Sequence, residues 1–298
     1  MIKRAHIRHF LAVADSGSFK QAAARLHVTQ PTVSTAIAEL ERLVGSALFV
    51  RDRRHVRLTE PGGAFLPIAR DLEAGFRRAD QFAKASAYPE QPWPDLKLGV
   101  IPTICGSMLQ AIAAQLAEHY GVELVEGNDH DLRGQLASGK IQLALTLLGK
   151  SENGAENRPE VTPLLEEPYV VVMAARHPLA GTAELAAGDL ASEIMIARRS
   201  CEALQRTSRF FTDAGVRPRF ALRSENEDRC LRMVAAGLGI TVAPRSLAPE
   251  GTATAEVRDF GLTRRLGFIR APVHPGSADE AEKLAAILET IAASLPPN

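Results

Sequence analysis

Two groups of residues in this 298-residue chain have types and spacing suited to recognition chemistry. The first lies in Val28-Thr29-Gln30-Pro31-Thr32-Val33-Ser34 and continues to Thr35. The amide of Gln30 can bond a base edge, and the hydroxyls of Thr32, Ser34 and Thr35 can reach bases or phosphates. Further on, Arg51-Asp52-Arg53-Arg54-His55 collects guanidinium groups whose charge suits phosphate oxygens. The second group lies at junctions between apolar runs and helical ones: Thr103, Asn128 and Ser200, with Ser224 and Glu227 reading as a capping box at a fourth junction. Donors at helix N-termini beyond the carboxyl ends of strands suit an anionic ligand. Arg198-Arg199-Ser200-Cys201 adds positive charge at one such mouth, so a small carboxylate is the expected ligand. Ser, Thr and Asn at helix starts are equally ordinary caps that need no ligand. An arginine cluster, likewise, is often only a solvated face. Cys201 beside two arginines can be a reactive thiol, yet no resolving partner lies near it in sequence, which favours a buried small residue.

The elements around the first group predict a reading head. Ser18-Phe19-Lys20-Gln21 reads as a capping box, with Ser18 capping a helix and Gln21 reaching back. The helix that follows carries Ala22, Ala23 and Leu26 on one face, small enough for close packing. Thr29 then caps a second helix, Pro31 falls in its first turn, and Val33, Ile37 and Leu40 give it a buried stripe. Two short helices joined by a tight turn, the second polar at its exposed N-terminus, place a helix end in a major groove. Leu48-Phe49 and Val56-Arg57-Leu58-Thr59 flank the arginine tip as a hairpin wing. Candidate DNA contacts are therefore Thr29, Gln30, Pro31, Thr32, Ser34, Thr35, Arg51, Arg53 and Arg54. The formal net charge is zero, but residues 1–60 carry ten Lys and Arg against five Asp and Glu, a basic head on an acidic body.

From Gly62 to Tyr88 the chain reads as one long helix. Phe65, Ala69, Leu72, Phe76, Ala79 and Ala83 alternate four and three apart, a heptad seam suited to pairing with a second copy. Pro89 to Pro94 ends the helix. Beyond it, strand-like runs alternate with helical ones, from Leu96–Ile101 to a final helix at Ala278–Ser294. That alternation predicts parallel sheets covered by helices, folded as two lobes.

The stretch Phe10-Leu11-Ala12-Val13-Ala14-Asp15-Ser16-Gly17-Ser18-Phe19, the Ala22-Ala23-Ala24-Arg25-Leu26 helix, Val28 to Ser34, Leu40-Glu41, Gly45, Leu48-Phe49 and Leu58-Thr59-Glu60-Pro61-Gly62 together resemble the LysR-type transcriptional regulators. The resemblance implies an α/β fold with an all-α winged helix-turn-helix head and a two-lobed, periplasmic-binding-protein-like effector domain. It also implies dimerisation through the linker helix. Thr103, Asn128 and Ser200 match positions that often line the effector cleft in that family, which makes Thr103, Asn128, Arg199, Ser200 and Cys201 candidate effector contacts. The expected layout is a DNA-binding domain at 1–60, a linker helix at 61–91 and an effector domain at 92–298. Lobe I spans about 92–165 and 266–298, and lobe II about 166–265. Two departures stand out. Thr35, Ala36 and Ala38 replace the longer polar or basic residues usual on the recognition helix, and Gln142 replaces an aspartate usual after the glycine turn.

Rival classes find less support. No GxSxG, HExxH, P-loop or dinucleotide fingerprint is present, and the eight histidines are scattered, which argues against an enzyme. A free-standing solute-binding protein is disfavoured by the basic head and the lack of a secretory core near the N-terminus. An architectural DNA protein is disfavoured by the two-lobed remainder. Three cysteines without metal-ligand spacing indicate neither a zinc site nor a disulfide framework. The expectation is a cytoplasmic regulator with no cofactor or metal and no membrane association. Its partners would be double-stranded DNA, a small-molecule effector, further copies of itself in a dimer or tetramer, and RNA polymerase.

Overall fold

The computed structural model describes residues 1–51, 56–87, 95–149, 160–270 and 278–294. The chain forms two compact units with the main cut between Pro92 and Trp93.

The first unit contains α1 (Arg4–Ser16), α2 (Phe19–Leu26), α3 (Gln30–Val44), a hairpin of β1 (Phe49–Arg51) and β2 (Val56–Leu58), and α4 (Glu60–Ala87). The punctuation is chemical. Gly17 ends α1 and Gly45 ends α3, both at positive φ, a conformation that costs glycine little. Ser18 caps α2 by accepting the Gln21 amide at 3.4 Å. The reciprocal half of the expected box is absent, because the Ser18 amide bonds Ser16 Oγ instead. Thr29 caps α3 through the Thr32 amide, and Pro31 sits in its first turn.

Ile7, Phe10 and Val13 of α1, Ala22 and Ala23 of α2, and Val33, Ile37 and Leu40 of α3 make one core with Leu48 and Phe49. Each large aliphatic or aromatic side chain there contributes roughly 1.5–3 kcal/mol by leaving water. Glu41 receives the amides of Leu48 and Phe49 at 2.8 and 3.1 Å, which moors the wing to the recognition helix. Gly62 is required where α4 crosses Leu48: a Cβ there would lie 2.1 Å from the Leu48 carbonyl oxygen.

Helix α4 starts two residues before the expected Gly62 and carries Pro67 within it. Its heptad seam divides. Phe65 and Ala69 pack into the head's own core, and Phe65 meets Phe10 edge-on at 5.2 Å. Leu72 and Phe76 remain 42% and 38% exposed, as does Ile68 at 54%. Arg4 stands over the Phe76 ring and bonds Glu73 and Asp80 of the same helix, so part of α4 is held by its own head.

The second unit contains β3 (Asp95–Val100), α5 (Gly106–Ala117), β4 (Gly121–Glu126), α6 (Asp129–Ala137), β5 (Leu143–Leu147), β6 (Glu160–Ala174), β7 (Glu184–Leu185), β8 (Ile194–Arg198), α7 (Leu204–Asp213), β9 (Arg219–Ser224), α8 (Glu227–Ala235), β10 (Thr241–Pro244), β11 (Thr252–Val257), β12 (Thr263–Arg270) and α9 (Ala278–Ser294). The expected parallel pairing holds for β3 with β4 and β5, and for β8 with β9. Elsewhere the sheet is mixed, because β12 runs antiparallel to β5 and β6, and β10 and β11 run antiparallel to β6. Returning strands can pair antiparallel without a covering crossover helix, which alternation alone does not reveal.

Strand β6 passes through both lobes. Its first half pairs β12, and its second half pairs β10 and β11. In the second half, Tyr169, Val171 and Met173 face one cluster with Cys201 and Phe211. Val170 and Val172 face another with Cys230, Leu231 and Val234 of α8. Gly267 stands where the β6–β12 register slips, and a Cβ there would lie 2.6 Å from the Thr162 carbonyl oxygen. Gln142, in place of the aspartate, accepts the Lys97 amide at 2.9 Å and stitches the approach of β5 to β3.

Candidate functional site

In the head, α3 turns Val33, Ile37 and Leu40 inward, and this leaves Gln30, Pro31, Thr32 and Thr35 exposed and Ser34 half-buried. Thr29 and Thr32 are bonded to each other through their hydroxyls at 2.8 Å. The exposed end of the helix therefore presents one side-chain amide and several hydroxyls, which together suit base edges and phosphates. Arg53 and Arg54 lie outside the described residues. Arg51 closes β1 opposite Val56, and its side chain is outside them as well.

In the second unit the expected contacts separate. Asn128 caps α6, accepting the Asp131 amide at 2.9 Å while its amide nitrogen donates to the Asp131 carboxylate. Arg199 is exposed and lines an open groove of about 560 Å³ with Gln205, Ser208, Arg209 and Arg223. Ser200 is not at a helix start, because α7 begins at Leu204. Its Oγ lies 2.7 Å from a Glu227 oxygen and 2.9 Å from the Glu225 carbonyl. Glu227 is not the partner of a Ser224 cap either. Asn226 caps α8, and Glu227 accepts from the buried Arg198 at 2.6 Å. Arg198 also donates to the Val242 carbonyl, while its Nη2 is enclosed with no hydrogen-bond partner among the described residues. Cys201 is buried, and burial above all pushes its thiol up.

Thr103 enters a cluster that includes none of the other four. It is 1% exposed, and its hydroxyl donates to Glu202 at 2.8 Å while accepting from Arg264 at 3.0 Å. Tyr169 of β6 donates to the same carboxylate at 2.6 Å, and Arg264 of β12 donates to it at 2.8 Å. On its other side Arg264 pairs with Glu167 of β6 at 2.8 Å, and Glu167 also receives the amide and hydroxyl of Ser246. The cluster therefore joins the loop after β3, the loop after β8 and strands β6 and β12. Burial by itself would raise the Glu202 carboxyl, but the charge of Arg264 and the Tyr169 hydrogen bond hold it below the ordinary value. Burial and the neighbouring Glu202 charge drive the Tyr169 phenol far up, so it stays a neutral donor.

Glu167, Tyr169, Glu202, Ser246 and Arg264 were not among the sequence candidates. Arg264 and Glu167 are separated by 97 residues, so no local spacing connects them. Charged residues inside otherwise apolar strands were the available signal, since ionised groups are seldom buried unless paired.

A model described as "LysR substrate binding domain" matches residues 90–292, and one described as "Bacterial regulatory helix-turn-helix protein, lysR family" matches residues 5–63. The chain is 31% identical over 251 residues to a probable hydrogen peroxide-inducible genes activator of Mycobacterium avium, covering 82% of this chain and 78% of that one. It is 25% identical over 278 residues to the HTH-type transcriptional regulator CysL of Bacillus subtilis, covering 90% of each. Among solved structures, a cysteine mutant of Corynebacterium glutamicum OxyR is similar with a TM-score of 0.50 at 26% identity, over 100% of this chain and 99% of that one.

Proposed function

The chain belongs to the LysR family of transcriptional regulators, DNA-binding proteins with an effector-binding domain and not enzymes, and on that premise we propose that it is an effector-gated reader of a specific DNA site. The observation that carries the reading is the exposed polar N-terminus of α3, built on a fully buried apolar stripe. Thr29, Gln30, Pro31, Thr32, Ser34 and Thr35 enter the major groove, where Gln30 reads a base and the hydroxyls fix register. Arg51, Arg53 and Arg54 hold phosphates through the wing. Two or more chains pair along the exposed part of α4, Ile68, Leu72 and Phe76, which sets two heads on one site. The bound assembly then alters the access of RNA polymerase.

A small molecule between the lobes biases the equilibrium between arrangements by its different affinities for them. Thr103 lies on the lobe I side of that seat, with Ser200 and Cys201 on the lobe II side. Arg199 lies to one side, on the groove along α7, and Asn128 flanks the approach from α6. The hydroxyls expected to bind a carboxylate, those of Thr103 and Ser200, already donate to Glu202 and Glu227.

Mobility-shift titrations test the DNA reading. Gln30→Ala should weaken specific binding with the salt slope unchanged. Replacing Arg53 and Arg54 together by alanine should weaken binding to every sequence and reduce the slope by about two. If Gln30→Ala leaves specific and random DNA discriminated as before, α3 is not the reading element.

Relatives named as peroxide-inducible activators raise peroxide sensing as a second reading. Peroxide is attacked by a thiolate. Cys201 is buried with its thiol pushed up, Cys230 is likewise buried and pushed up, and all three cysteines are free. Peroxide should therefore leave operator binding by the reduced protein unchanged.

A further inference from the structure

We propose that Glu202 sets the chemical class of the effector: the seat between the lobes takes a ligand presenting a positive charge or an N–H donor, and it turns carboxylates away. This deepens the effector reading above and rests on it.

The donors that could hold an anion at the seat are the Thr103 hydroxyl, the Tyr169 hydroxyl and the Arg264 guanidinium. All three converge on the Glu202 carboxylate at 2.6–2.8 Å. The protein thus supplies its own anion at the point where an effector carboxylate would be received. The cluster contains two carboxylates, Glu167 and Glu202, against one guanidinium, so it already carries one negative charge in excess. A further anion would add like charge where the dielectric screens poorly and would find no free donor.

What a ligand meets is an acceptor. The Arg264 and Glu167 side chains are 3% and 0% exposed, whereas that of Glu202 is 19% exposed. A carboxylate has about four lone-pair sites. Glu202 Oε1 receives Tyr169 and Arg264, and Oε2 receives Thr103. The accessible group of the seat is thus a charged acceptor, which suits a cation or an N–H donor and not a second carboxylate. The cations outside the cluster do not reverse this polarity. Arg198 is enclosed and paired with Glu227, and Arg199 faces the groove along α7.

The test uses the full-length chain and probe pairs that share a carbon skeleton: benzylamine with benzoate, and butylamine with butyrate. Calorimetric titration should show the amine binding the parent at least about tenfold more tightly than the acid, and Glu202→Gln should erase that preference. Glu202→Ala leaves Thr103, Tyr169 and Arg264 with no carboxylate between them. Formate or acetate should refill the gap and raise the melting temperature of this variant saturably, while leaving the parent unmoved.

A parent that binds the acid as tightly as the amine overturns the proposal, and so does a Glu202→Ala variant with native circular dichroism that ignores both anions. If neither member of a pair binds the parent, the alanine variant decides by its response to formate. If it does not fold, Glu202→Gln decides through the pairs. Operator binding measured alongside separates this proposal from its premise. Refilling of Glu202→Ala with no effect of any ligand on DNA affinity keeps the seat and ends the effector reading. A ligand that alters DNA binding with the same selectivity in Glu202→Gln keeps the effector reading and ends the role of Glu202.

Discussion

Arg264→Leu is the substitution whose cost the structure fixes most directly. The side chain is 3% exposed and donates to Glu167, Glu202 and both oxygens of Thr103. Leucine fills much of the volume but leaves Glu167, whose side chain is fully buried, with only Ser246 as a donor among the described residues, and Glu202 with only Thr103 and Tyr169. Removing one partner of a buried ion pair costs about 3–5 kcal/mol, mainly because the remaining charge is uncompensated. For a unit of this size each kcal/mol lowers the melting temperature by about 2–4 °C, so a fall of roughly 6–20 °C is expected. Scanning calorimetry of the full chain should show it in the transition of the second unit. The origin of the cost has its own control. Adding Glu167→Gln removes the orphaned charge, so the double variant should be more stable than Arg264→Leu alone, a non-additivity expected of residues in direct contact. A fall of less than about 3 °C for Arg264→Leu, or a further fall in the double variant, would refute the argument that uncompensated charge dominates.

Two further outcomes follow from other parts of the molecule. Leu72→Asp places a charge on the exposed portion of α4 without touching the head's core, so it should abolish the proposed pairing of chains while the head's melting is unchanged; an oligomer of this variant in sedimentation would remove α4 as the main interface. The Glu202 carboxyl is held below its ordinary value of 4.5 by its partners. Its stabilisation is complete above that pH and is lost as pH falls through the lowered value, so urea midpoints of the parent should drop more steeply below about pH 4.5 than those of Glu202→Gln.

The head was legible in sequence because its determinants are local. Thr29, Pro31 and the Val33, Ile37, Leu40 stripe act within one helix, and each is found in the expected role. Most of the remaining helices and strands were legible for the same reason, although no helix was expected at Arg4–Ser16. Strand β11 was not, because Thr252–Val257 is a run of small and polar residues whose partner, β6, is far away in sequence. Strand direction was missed because pairing is decided between elements rather than within them. The buried cluster was legible only at Thr103. Its hydroxyl was expected to face an effector, but it donates to Glu202, 99 residues away. Ser200 and Arg198 were read as free for a ligand, because nothing near them announced that Glu227 would claim both.

The continuity of β6 constrains how the second unit can be taken apart and how it can move. One unbroken strand of 15 residues supplies a ladder to each lobe, so a break in the chain near Glu167 would sever an edge strand of one half from a central strand of the other. Neither lobe is a separable part, and fragments ending at the crossover should not fold alone. Motion between the lobes is then torsion of a shared ribbon rather than the swing of two bodies on a loose tether.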